Sequence, residues 1–141
     1  MARPSSSGVG DIVGAVVETL RAAPEVTAIV PADRILNYVS SGTPRPYLRV
    51  DVTTETDDDT LGLGGVDAIC AVTAVSDYRG AAEIGRMAAA CRRALDGIAM
   101  DVDGFTAPGD VSYEQAIGEF TEDVAGIAVR HRPLWFRVRV L

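Results

Sequence analysis

Residues 130–141 read RHRPLWFRVRVL, with arginines alternating with large apolar side chains. Successive side chains of a β-strand point to opposite faces, so Leu134, Phe136, Val138 and Val140 fall on one face and Trp135, Arg137 and Arg139 on the other. The first face belongs to a core. The second carries two guanidinium groups and must look at water, at acids of its own chain or at a partner. Pro133 lacks the N–H that a ladder uses and is expected at a bulge or an edge.

Other segments carry the same period of two. In YLRVDVTTET, residues 47–56, Leu48, Val50 and Val52 share one side and Tyr47, Arg49 and Asp51 the other, the pattern of a half-buried strand. VDAICAVTAVS, residues 66–76, is apolar on both faces and suits a central strand covered on two sides. DDDTLGLGG between them makes the acidic, glycine-containing tip of a long hairpin. Helical spacing appears twice. Ile12, Val13, Val16, Val17 and Leu20 form one apolar face, with Asp11 at its start and Pro24 at its end. In residues 79–98, Ile84, Met87, Ala88, Cys91 and Leu95 form another, with Arg86, Arg92 and Arg93 off the stripe and Gly97 placed to end the helix. Residues 24–30 add one helical turn, and residues 33–39 begin an extended segment. Residues 100–120 offer two short extended pieces, and residues 125–141 a strand pair or bulged strand. The fold class expected is α+β, a mostly antiparallel β-sheet packed against two α-helices, with one long β-hairpin. Residues 1–8, rich in Ser, are a flexible N-terminus, and 9–141 are a single domain.

Composition narrows the function. A chain of 141 residues, 48% hydrophobic, buries a real core. Its net charge of −7 argues against a protein that grips nucleic acid, which needs a surplus of cations on one surface. All 13 basic residues are arginine. Cys70 and Cys91 lack the spacing of a metal or redox motif and read as buried thiols. The first eleven residues contain no apolar run, so no signal peptide is expected, and no apolar stretch is long enough to cross a membrane as a helix. Synthesis in the cytoplasm and no membrane partner follow as expectations.

Residues that chemistry would need are sparse. As a calcium loop, residues 57–68 place Asp57 and Asp59 at the first two ligand positions but put Leu61 at the third and Ala68 where a bidentate Glu is required. As a phosphate cradle, Gly62, Gly64 and Gly65 are followed by Asp67 where the third Gly belongs, beside carboxylates that repel phosphate. His131, the single histidine, has no nucleophile motif near it. The pairs Glu114 with Glu119 and Glu122 with Asp123 lie in a polar segment where solvation explains them. No catalytic, metal or cofactor-binding residue is expected, and no cofactor. Candidates for a subunit or partner interface are Glu55, Asp57, Asp58 and Asp59 at the hairpin tip, where the alternative is a simply solvated turn, and Trp135, Arg137 and Arg139 on the last strand.

The succession of an amphipathic helix closed by AAPEVTAIVPADRIL, then PRPYLRVDV, then the helix AAEIGRMAAACRRALDGI and the terminal RHRPLWFRVRV resembles the tail terminator or tail completion family of long-tailed bacteriophages, of the minor tail, head-tail joining type. The similarity runs from Ile12 to Leu141. It implies a tail-terminator-like α+β domain that is not an enzyme. Such a protein caps the head-proximal end of the tail tube as a homo-oligomeric ring, expected to be a hexamer, at the tail-neck junction of the virion. Its partners would be itself, the major tail tube protein and the head-tail connector or neck proteins, with DNA passing through without specific binding. The alternatives are a neck or head-tail adaptor protein docking on the portal side and, more remotely, a small cytosolic α+β enzyme or ligand-binding domain.

Overall fold

The structure is a computed structural model that describes residues 9–58, 65–105 and 107–140. The elements run α1 (Val9–Arg21), α2 (Pro24–Thr27), a 3-10 turn (Ala32–Arg34), β1 (Ile35–Leu36), β2 (Tyr47–Asp58), β3 (Gly65–Ser76), α3 (Ala82–Leu95), β4 (Ala99–Met100), β5 (Gly109–Ala116), β6 (Phe120–Val124) and β7 (Ile127–Val140). The expected flexible segment 1–8 lies outside the described residues. So do residues 59–64 of the expected hairpin tip, DDDTLGLGG.

One sheet carries the strands in the order β1-β2-β3-β7-β5-β4, with β6 also on β7. The terminal strand is therefore central. It runs antiparallel to β3 from Arg130 to Val140, and on its other flank meets β6 first and β5 afterwards. β2 and β3 pair antiparallel out to Asp58 opposite Gly65. The sheet is mostly antiparallel, as expected, with the short β1 lying parallel to β2, opposite Leu48 and Arg49. One feature differs from expectation: among the described residues the helices number three rather than two, since Pro24 starts a four-residue α2 whose Val26 is buried.

The expected faces of β7 hold. Leu134, Phe136, Val138 and Val140 join one core with Leu48, Val50, Val66, Ala68, Cys70 and Val72 of the neighbouring strands, and all are buried. Ile12, Val16 and Leu20 of α1 and Ile84, Met87, Cys91 and Leu95 of α3 close that core from above. α1 lies over β2, and α3 over β3, β7 and β5. α3 ends as expected: Asp96 is the cap, its amide donating to the Arg92 carbonyl, and Gly97 follows with φ +79°, a conformation glycine adopts without a Cβ penalty.

Pro133 corrects the sequence reading. It lies at neither a bulge nor a sheet edge but within β7, opposite Thr73. Its carbonyl accepts from the Ile117 amide, on the flank where β6 pairing ends at His131 and β5 pairing begins at Leu134. A residue's N–H and C=O point to the same side of a strand, so the missing donor falls in the gap between those two partners and costs no ladder bond. The bulges lie elsewhere, between Val52 and Thr54 and between Tyr113 and Gln115. β3 is also not covered by two layers. Ala71, Thr73 and Val75 are buried, yet stand outside the helix-packed core. They are small enough to be roofed by long neighbours such as Arg49 and Trp135, which the register places beside them.

Candidate assembly interface

The face of the sheet away from the helices is built by alternation. Register sets Thr54 and Thr56 of β2 beside Ile69 and Asp67 of β3, and these beside Arg137 and Arg139 of β7. Thr54, Thr56, Ile69, Asp67 and Arg137, together with Trp135 of β7 and Glu114 and Gln115 of β5, line an open trough of about 460 Å³. Across it Arg137 grips Asp67 with both ends of its guanidinium, Nε donating to Oδ1 at 2.9 Å and Nη2 to Oδ2. Arg139 adds a longer contact to the same carboxylate, 3.9 Å. The Arg137 hydrogen bonds hold the Asp67 carboxyl below the usual carboxylate range, against the opposing effect of burial and with help from the charges of Arg137 and Arg139. A fork-to-fork pair fixes orientation as well as charge, so the arginine plane is held in place rather than swinging in water.

Of the residues expected at an interface, the structure brings Trp135, Arg137 and Arg139 together on this face. Glu55 is not with them. It stands opposite Ala68, on the helix side of the sheet, with Oε2 buried and without a hydrogen-bond partner among the described residues. Asp57 and Asp58 occupy the end of β2 opposite Val66 and Gly65, and Asp59 lies outside the described residues. Sequence reasoning missed Asp67, the acid that Arg137 meets. It sat in a run read as a buried strand, and only the β3–β7 register reveals it.

The remaining polar groups do not assemble a reaction centre. His131 stacks flat on Phe120 with ring centroids 4.7 Å apart. Burial lowers its pKa, opposed by the charge of Glu122 and aided by that of Arg49. Cys70 and Cys91 are free, fully buried thiols, each pushed up to about 12 by desolvation. Thiols so placed carry almost no thiolate at neutral pH and are inert. Among the described residues no group of three or more His, Cys, Asp or Glu stands ready for a metal ion. No helix among them is long and apolar enough to cross a membrane.

What the geometry offers is a charged and aromatic face on a rigid sheet, and comparison with known proteins gives it a context. The family model of tail completion protein gp17 matches residues 14–141. The chain belongs to that family. Membership makes the chain a structural protein of a phage-type tail and places it in the virion, and the family is not a known class of enzyme. Its fold is similar to that of a chain in the virion of a native gene transfer agent particle, with a TM-score of 0.74 and 22% identity over 96% of this chain and 98% of that one. A second solved chain has a TM-score of 0.64 and 18% identity, covering 94% of each. No curated protein matches the sequence.

Proposed function

We propose that this protein closes the head-proximal end of a tail tube as a six-membered ring, stopping tube polymerisation and offering the docking surface for the head and its neck proteins. The family match over residues 14–141 carries this reading. The activity is then geometric. A head-to-tail contact that closes by rotation makes a ring instead of a filament, and a ring whose two ends differ docks on the major tail tube protein without propagating it. The trough around Trp135 and Arg137, with Arg139 beside it on the same face, suits a neighbouring virion protein, because none of the described helices covers it and the pair with Asp67 holds it stiff. An overall charge of −7 suits a channel through which DNA slides without being held.

Omitting the protein during particle production and imaging the products tests the proposal. Tails of unregulated length beside filled, tailless heads are expected. Tails of normal length that fail to join heads would favour a portal-side adaptor, and normal particles would exclude both roles.

A further inference from the structure

Two β-bulges flank the trough, and both abut one line across the sheet. Val52 of β2 stands opposite Cys70, Cys70 opposite Phe136, and Phe136 opposite Tyr113 of β5. The register shifts just beyond Val52 and just beyond Tyr113, with Thr53 and Glu114 as the extra residues. A bulge re-aims a side chain away from the face that plain alternation gives it. In β5, Ser112 opposite Arg137 shares the trough face, and Tyr113 opposite Phe136 packs on the core. The extra residue then brings Gln115 opposite Trp135, so that Glu114 and Gln115, neighbours in sequence, both line the trough.

The two extra residues differ in what they meet. Thr53 is used by its own sheet, its hydroxyl donating to the Ile69 carbonyl at 3.2 Å. Glu114 is exposed, and its carboxylate has neither an ion pair nor a hydrogen bond among the described residues. The other carboxylate of the trough, Asp67, is gripped by Arg137, and Asp51 on the same face meets Arg49 at 2.9 Å. The rest of the lining is apolar at Ile69 and Trp135, both half-buried, and uncharged at Thr54, Thr56 and Gln115.

This lining selects its occupant. A purely apolar segment sealing the trough would bury the Glu114 carboxylate without a partner, which is costly. An acidic segment would meet that carboxylate with like charge and find the Arg137 guanidinium already held by Asp67. A lysine or arginine side chain suits both halves, its hydrocarbon stem on Trp135 and Ile69 and its cationic head on Glu114. We infer that the trough receives a basic side chain carried by a neighbouring virion protein, with Glu114 as its charge partner and Trp135 as its apolar wall. The partner is a different protein, because copies of a chain with net charge −7 repel one another at long range, whereas a surface that brings cations is drawn in. The inference rests on the reading of the trough as a docking face.

Trp135 is the single tryptophan, so its fluorescence reports on the trough alone. The probe is an acetylated, amidated pentapeptide with one central arginine among threonines and valines, compared with the same peptide carrying glutamine or glutamate there. The full chain should show a saturable change in emission with the arginine peptide, a weaker one with the glutamine peptide and none with the glutamate peptide. Glu114→Gln, matched to the parent by circular dichroism and melting, should weaken the arginine peptide by about threefold, within the span of an exposed ion pair, and leave the glutamine peptide unchanged. Binding of the arginine peptide should also weaken as salt shortens the Debye length from about 10 Å at 0.1 M to about 3 Å at 1 M. Particle production with Glu114→Arg in place of the parent should give the same defect as omitting the protein. Equal responses to the arginine and glutamine peptides, or no effect of Glu114→Gln, would overturn the cation site and leave the docking face standing. Normal particles from Glu114→Arg would overturn its part in assembly. An arginine peptide that breaks the parent's own rings into single chains would reassign the occupant to a second copy and overturn the choice of partner. Normal particles on omission of the protein would remove the docking role itself, a failure visible without any peptide.

Discussion

Trp135 and Phe136 are adjacent in sequence and point to opposite faces of the sheet, so truncating each in turn measures the two faces separately. Phe136 is 1% exposed, and its ring meets Tyr113 edge-on at 5.7 Å with an interplanar angle of 70°. Tyr113 in turn lies beneath Arg92 and has its amide held by Asp96 Oδ1 at 2.9 Å. Phe136→Ala therefore leaves a cavity under α3 and loosens the strand that caps it. Such truncations cost about 3–5 kcal/mol. Against a total of about 5–15 kcal/mol this is a large fraction. For a chain of this size it should lower Tm by roughly 10–15 °C. Trp135→Ala strips a half-buried side chain from a face already open to water. It should cost about 1–2 kcal/mol despite removing the larger group. Because Trp135 is the single tryptophan, unfolding is best followed by circular dichroism with urea as well as heat. Equal losses for the two variants, or a Phe136→Ala effect below about 1 kcal/mol, would refute the assignment of faces.

Asp67 has a lowered folded-state pKa, so its contribution to stability is present above the ordinary carboxylate range and is lost as pH falls through the lowered value. His131, disfavoured as a cation by burial, loses stability in the same direction, starting at its unfolded value of about 6.5. Melting temperatures from pH 8 to pH 3 should therefore fall in two stages, and Asp67→Asn should flatten the acid stage. Cys70 and Cys91, with thiols near 12, should resist a disulfide-exchange reagent at pH 8 and react only on unfolding, and rapid native labelling would contradict their burial. At Gly109 an added Cβ would come within 2.9 Å of Val140 Cγ2, so Gly109→Ala should destabilise by about 1–3 kcal/mol, whereas Gly118→Ala meets nothing within 4 Å and should behave like the parent in the same melts.

Strand faces were legible in the sequence wherever alternation ran unbroken, as at Leu134 to Val140, because a period of two is a local property of the backbone. Helix α3 was legible for the same reason at its own period. The first departure comes at Thr53. One extra residue there shifts the β2 register, so that Thr54 and Thr56 point with Ile69 and Asp67 to the outer face and Glu55 turns to the helix side. Alternation carried on from Leu48, Val50 and Val52 gives the reverse. Strand order was equally hidden. That β7 inserts between β3 and β5 depends on pairings about seventy residues apart in the chain, such as Arg137 with Asp67, which no local pattern encodes. Of the candidate interface, the aromatic and cationic half was readable as a face, but its internal acid was not, and neither was the separation of Glu55 from it. Pro133 was misread because its effect depends on which partner strand happens to end beside it.

The long ladder between β3 and β7 also has a mechanical meaning. From Ser76 opposite Arg130 to Val66 opposite Val140 the two strands remain in uninterrupted register. β7 holds β6 and β5 on its other flank in succession, like a splint laid across two shorter pieces. Tension applied along the strands loads those backbone bonds together, so that they must slip as a group, whereas tension applied across the strands would open them one after another. In the capping role proposed above, the protein would be strongest with its strands laid along the direction of pull.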